Sequence, residues 1–246
     1  MASSKLLFFF CFIVLHLVAL TTAQQNTPLL HLCSDENGTF TRSSPYQVNL
    51  NRLLPSLSTK TSINYGFVNA SKGVNSGRVN AMALCRGDVK PATCRGCINN
   101  STRELRKSCP NQKEAIIWYD YCMLRYSNRY FFRNMEFGPY FWAYGMQKAS
   151  NARTFNRVLQ ILLNSLRNKA ASGDSHLKFA TGNATASKSE TIHALVQCTP
   201  DLSKQQCREC LSNATALLPK CCDGKRGGRV VAPSCNFRYE IGRFYK

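Results

Sequence analysis

Cys85, Cys94 and Cys97 fall within thirteen residues, CRGDVKPATCRGC, at gaps of eight and two. Such spacing suits three chemistries: a metal held by thiolates, a redox dithiol, or structural disulfides. A redox dithiol wants its CxxC at the thiolate-stabilising start of a helix inside a thioredoxin-like βαβ unit, a pattern absent around Cys94 and Cys97. A zinc site uses four Cys or His ligands, commonly as two close pairs, whereas His31, His176 and His193 sit at unrelated places. Disulfides are therefore expected, with no metal and no cofactor. Each bridge would add on the order of 3 kcal/mol by restricting the unfolded chain.

The start of the chain agrees with an oxidising compartment. Lys5 is followed by the apolar run LLFFFCFIVLHLVAL and then TTA ahead of QQ, which reads as a secretory signal peptide, residues 1–23, cut after Ala23. The run is about fifteen residues, short of the roughly twenty that span a bilayer, so no transmembrane anchor is expected. Removing it takes away Lys5 and Cys11 and leaves 223 residues, twelve cysteines and a net charge of +18. An even cysteine count in an exported chain favours disulfides. Sequons at Asn37, Asn69, Asn99, Asn100, Asn183 and Asn213 are expected glycosylation sites, with Asn99 and Asn100 overlapping.

The elements that must hold these cysteines occur twice. Cys85, Cys94, Cys97, Cys109 and Cys122 recur as Cys198, Cys207, Cys210, Cys222 and Cys235, each displaced by 113 residues. Upstream, Leu50, Leu53, Leu54 and Leu57 recur as Leu159, Leu162, Leu163 and Leu166 at an offset of 109. The chain is a tandem duplication, predicted to divide into domains at 24–135 and 136–246. The leucine spacing gives an amphipathic helix, with Ser44 and Pro45 as its cap and first turn and Pro55 bending or ending it. A second helix is predicted around Cys94 to Lys107, with its counterpart at 206–218. AIIWYDYCMLRY, RVVAPSCNFRYE, INYGFVNAS and RVNAMALC are aromatic and β-branched and read as strands. The predicted fold class is α+β: two tandem disulfide-stapled domains, each a small antiparallel sheet packed against two helices.

This cysteine frame, with Cys33 lying 52 positions before Cys85 and CCDGKRGGRVVAPSCNFRYE at 221–240, resembles the ginkbilobin-homologous domain of plant cysteine-rich repeat secretory proteins, present twice. The resemblance implies the pairs Cys33–Cys109, Cys85–Cys94, Cys97–Cys122, Cys198–Cys207 and Cys210–Cys235. The counterpart of Cys33 falls near Trp142, which is no cysteine, and Cys222 is left beside Cys221. Either these two form a vicinal disulfide or one of them bonds another chain.

The same resemblance implies a mannose site made of an asparagine just after the first cysteine, an arginine before the last and a glutamate after it. An amide, a guanidinium and a carboxylate can satisfy adjacent sugar hydroxyls. The first copy has Ser34, Ile116 and Ser127 at these positions, so it should not bind mannose in this way. The second copy keeps Arg229 and Glu240, with the amide position near Ala143; the competing expectation is a salt bridge between Arg229 and Glu240 across neighbouring strands. Arg86, Gly87 and Asp88 read as a turn inside a disulfide loop, and GKRGGR (224–229) as a turn without Walker spacing. The three histidines are expected on the surface or in packing. No nucleophile elbow, metal pair or phosphate loop is present, so no enzyme is expected.

Basic residues spread over both copies (Arg103, Arg106, Lys107; Arg125, Arg129, Arg133; Lys225, Arg226, Arg229) would attract pectin-like polyanions, anionic membranes or acidic proteins in a salt-sensitive way. Secretion argues against nucleic acid. The leading expectation is a secreted, non-enzymatic binding protein of the plant apoplast, acting in defence or cell-surface signalling, with an extracellular protein or acidic cell-wall polysaccharide as partner. The alternative is a mannose-type antifungal lectin using Arg229 and Glu240. The weaker alternative is a thiol oxidoreductase using Cys94 and Cys97.

Overall fold

The computed structural model describes residues 27–246, and the signal-peptide reading of 1–23 lies outside them. The first copy runs β1 (Leu30–Thr39), α1 (Pro45–Leu57), β2 (Phe67–Lys72), β3 (Val79–Cys85), α2 (Pro91–Ser108), β4 (Gln112–Trp118) and β5 (Cys122–Ser127). The second runs β6 (Phe141–Tyr144), α3 (Ala152–Ala171), β7 (Lys178–Ser187), β8 (Glu190–Cys198), α4 (Lys204–Ala216), a single turn α5 (Leu218–Cys221), β9 (Gly227–Val231) and β10 (Cys235–Glu240). Each copy forms a five-stranded antiparallel sheet, in the orders β1-β4-β5-β3-β2 and β6-β9-β10-β8-β7. The two orders are the same once the repeat is taken into account, which is the predicted α+β class.

Local chemistry sets the helix starts. Ser44 accepts from the Gln47 backbone N–H at 3.3 Å while Gln47 Oε1 accepts from Ser43 N at 2.6 Å, and Pro45 occupies the first turn, where its missing N–H costs nothing. Asn151 caps α3, and Ser203 with Gln206 closes a capping box on α4. The four leucines of α1 and the four of α3 are all buried. Pro55 lies inside α1, and the helix continues only to Leu57.

Three strand expectations need correction. AIIWYDYCMLRY is not one strand: it turns at Tyr119–Tyr121, with Tyr119 N donating to Cys122 O at 2.8 Å, and forms the β4–β5 hairpin. RVVAPSCNFRYE turns in the same way between Val231 and Cys235, with Ala232 N donating to Cys235 O at 2.9 Å. A run of β-formers hides a tight turn when the turn residues are themselves aromatic or small. INYGFVNAS is also split, its first half being a 3-10 turn before β2.

Each sheet is covered on one face by its own helices, giving one apolar core per copy. Alternation then sends Met82, Leu84, Ile116, Trp118 and Met123 to the opposite face of the first sheet, where they meet Phe131 and Phe132 of the connecting segment and Phe141 and Val231 of the second domain. The sheets therefore look toward each other, and the helices lie on the outside.

The structure joins Cys33 to Cys109, Cys85 to Cys94, Cys97 to Cys122, Cys198 to Cys207, Cys210 to Cys235 and Cys221 to Cys222. Register puts Cys33 opposite Ala115 and Tyr144 opposite Gly228, 113 residues later, so the counterpart of Cys33 is Tyr144, two residues beyond the expected Trp142. The copies also share a buried brace. Tyr126 Oη donates toward the carbonyls of Cys109 and Gln112 (3.5 and 3.1 Å), and Tyr239 Oη toward those of Cys222 and Lys225 (3.3 and 3.1 Å). A Cβ on Gly228 would lie 2.9 Å from Cys222 Sγ and from the Tyr239 ring, so the vicinal bridge fills the space that Ala115 takes in the first copy.

Candidate functional site

Arg229, expected to contact either sugar or Glu240, forms its salt bridge with Asp120 of the first domain instead of Glu240. It stands on β9 facing the first domain, its side chain 16% exposed, and its Nη1 lies 2.9 Å from Asp120 Oδ1. Asp120 is at the tip of the β4–β5 hairpin and also takes Arg238 Nη1 at 2.8 Å and Arg86 Nη1 at 3.2 Å. Glu240 pairs instead with its strand neighbour Arg238, at 3.3 Å. One carboxylate of the first domain thus sits where the second domain's arginines would meet a ligand. Burial alone would raise the Asp120 carboxyl, but the guanidiniums of Arg238, Arg229 and Arg86 outweigh it and hold it below the usual carboxylate range. Burial and the nearby Arg238 charge lower Arg229.

The ladder also moves the expected amide position. Ala143 lies opposite Arg229 on the seam side of the sheet, and the residue after the Cys33 counterpart is Gly145, which has no side chain to offer a sugar hydroxyl. The second-copy site therefore has a partly buried, paired arginine and no amide at the expected position.

In the first copy the same face is filled differently. Ile116 is 4% exposed in the apolar seam, and Ser127 Oγ donates to Glu114 Oε2 at 2.9 Å. Glu114 is clamped by Arg125 (2.6 Å) and Arg129 (3.1 Å), and both arginines reach Glu136 of the connecting segment. Burial would raise Glu114, and the hydrogen bonds from Arg125 and Arg129 overcome it and pull it down. Ser34 lies opposite Glu114 in the ladder, and Asn37 Nδ2 donates to Glu114 Oε2 at 2.5 Å. Two positive and two negative side chains cancel there.

The Arg86-Gly87-Asp88 turn also faces the seam. Arg86 grips Asp88 through Nε (2.7 Å) and Nη2 (3.0 Å), and a Cβ on Gly87 would lie 2.5 Å from the Phe179 ring of the second domain. Lys246 N donates to Asp88 and Arg86 Nη2 to the Phe244 carbonyl, so the C-terminus closes over this turn. Gln197 Nε2 donates to Cys85 O at 2.8 Å across the same boundary. Cys94 and Cys97 belong to different bridges, which leaves the CxxC pair without the internal bond that dithiol exchange requires. His31 is exposed, His176 packs on Tyr65, and His193 Nδ1 lies 3.4 Å from Tyr245 Oη.

Two of the basic residues expected at the surface are withdrawn from it: Arg125 and Arg229 are spent on carboxylates, while Arg129 stays exposed but is paired with Glu114 and Glu136. The outer helices carry a further set of exposed cations, beside others on loops and strands such as Arg42, Lys60, Lys72, Arg133, Lys148 and Lys188. Arg103, Arg106 and Lys107 of α2, Arg153, Arg157 and Lys169 of α3, and Lys204 and Arg208 of α4 are all exposed. Glu104 and Glu209 are the only carboxylates in the five helices. Sequons at Asn69, Asn99, Asn183 and Asn213 are exposed, and Asn37 and Asn100 are half-buried. Asn100 and Asn213 occupy the same place on α2 and α4, 113 residues apart.

Asp120 was missed in the sequence. Its signal was a lone acid between two tyrosines in an otherwise apolar and basic run, which is a turn residue placed where a strand seemed to continue.

Comparison with known proteins gives a consistent neighbourhood. A family model described as salt stress response/antifungal matches residues 32–129 and again 144–241. Cysteine-rich repeat secretory protein 38 of Arabidopsis thaliana is 44% identical over 227 residues, covering 92% of this chain and 89% of that protein. The antimicrobial ginkbilobin-2-like protein of Castanea crenata is 44% identical over 217 residues, covering 88% of each chain. The crystal structure of the tandem DUF26 ectodomain of a cysteine-rich receptor-like protein from Arabidopsis thaliana superposes with a TM-score of 0.75 at 22% identity, covering 87% of this chain and 98% of that one.

Proposed function

This chain belongs to the salt stress response/antifungal family of secreted, disulfide-bonded tandem-repeat proteins, and from that membership we propose that it is a non-enzymatic binding module of the plant extracellular space that engages an acidic wall polymer through its outer helices. The observation that carries this reading is the charge segregation. Most of the ion-paired carboxylates, Glu114, Asp120, Glu136 and Asp88, are spent at the seam or in the cluster of Arg125 and Arg129, while the helices expose cations against only Glu104 and Glu209. Such a surface binds a polyanion by releasing its counterions, so affinity falls steeply with salt. A role in defence is in keeping with the family description and with the antimicrobial relative.

The mannose-type reading has less support, because Arg229 would have to abandon Asp120 and no amide stands at Gly145. A glycan array read at low and high salt tests both. Salt-sensitive binding to polyuronates is expected. Mannoside binding that is lost in Arg229→Ala would restore the lectin, and no binding to any glycan would leave a protein partner.

A further inference from the structure

The helix pair of the second domain holds a feature that the first domain lacks. Lys204 and Arg208 stand one turn apart on α4, with Ser212 a further turn on, and they line an open groove whose other wall includes Arg167 of α3. Gln205 and Glu209 complete the lining, so three cations face one carboxylate. Lys204 and Arg208 are exposed, and the Arg167 Nε is buried without a hydrogen-bond partner.

At the corresponding positions, 109 residues earlier for the first helix and 113 for the second, the first domain has Ser58, Pro91 and Arg95. There the one arginine is already spent: Arg95 donates to the Ser58 carbonyl and, at 2.7 Å, to Asn64 Oδ1. One copy closes the cleft with its own hydrogen bonds, and the other leaves it open and cationic.

We propose that the α3–α4 groove is the docking site for a linear polyuronate, an inference that rests on the acidic-polymer reading above. The groove is an open channel and not an enclosed pocket, so it takes a chain lying along it. Cations repeat along α4 with Gln205 and Ser212 beside them, which matches a polymer that alternates carboxylates with hydroxyls. Arg167 supplies a planar, bidentate partner for one carboxylate, while Lys204 acts as a point charge.

The test is titration of the intact secreted protein with de-esterified oligogalacturonate at about 50 mM and about 200 mM NaCl. Lys204→Gln with Arg208→Gln should weaken binding about tenfold and flatten its salt dependence, and adding Arg167→Gln should weaken it further. Lys60→Gln with Lys72→Gln removes the same charge from exposed positions of the first domain outside its helices and should cost less than about twofold. Equal losses in the two double variants would overturn the groove while leaving the acidic-polymer reading standing. An intact protein that fails to bind at the lower salt would overturn that reading itself. Fully methyl-esterified oligogalacturonate should not bind; equal affinity for it would show that carboxylates are not what the groove recognises. Should the double variant unfold, Lys204→Gln alone, with an expected loss of about threefold, makes the same comparison.

Discussion

Asp120 balances three guanidiniums from two domains, and its removal leaves Arg86, Arg229 and Arg238 facing one another. Asp120→Asn should cost about 2 kcal/mol, less than a fully buried pair because the carboxylate is 30% exposed, and urea denaturation would measure it. The sign of the pH dependence follows from the same residue. Asp120 and Glu114 titrate lower in the folded protein than in the unfolded chain, so their contribution is complete above the unfolded carboxylate pKa of about 4 and is lost as pH falls through the lower folded values. Thermal stability should therefore be flat in these groups from pH 7 to about 5 and fall below about 4, with a smaller fall in Asp120→Asn. Neither arginine partner of Asp120 in the second domain could be identified from its neighbours in sequence, since they lie 109 and 118 residues away.

At the scale of elements, the bridges differ in what they restrain. Cys33–Cys109 ties the edge strand β1 to the end of α2 across 76 residues, whereas Cys221–Cys222 closes a separation of one. In the chain-entropy account the first removes about 4 kcal/mol of unfolded-state freedom and the second almost none. Cys33→Ser with Cys109→Ser should therefore lower the urea midpoint markedly, and Cys221→Ser with Cys222→Ser only slightly; a comparable drop from both would show that the vicinal pair acts through packing against Gly228 and Tyr239. The helices were legible because leucines at three- and four-residue spacing and Ser, Pro and Asn caps are local signals. The β4–β5 and β9–β10 hairpins were not, because their turns carry Tyr-Asp-Tyr and Ala-Pro-Ser in place of the glycine-rich pairs that announce a hairpin.

For the whole molecule, the seam joins the two repeats through one shared apolar cluster, and cooperative unfolding is the expected consequence. Ile116, Trp118 and Met123 are almost fully buried against the other domain and the connecting segment, each worth about 2 kcal/mol relative to exposure. Denaturation followed by Trp fluorescence and by far-UV circular dichroism should give coincident single transitions. Two separated transitions would mean that the domains unfold independently and that the seam adds little. The sequence by itself determined the duplication, the cysteine frame, the amphipathic helices and the excess of positive charge, all of which are carried by spacing and composition along the chain. Only the tertiary structure decided which cations remain available. Packing the sheets face to face brings Asp120 onto Arg229 and turns Arg86-Gly87-Asp88 inward, while the cations of the helices stay exposed, because a charge is neutralised by whatever lies a few ångströms away in space, however distant in sequence.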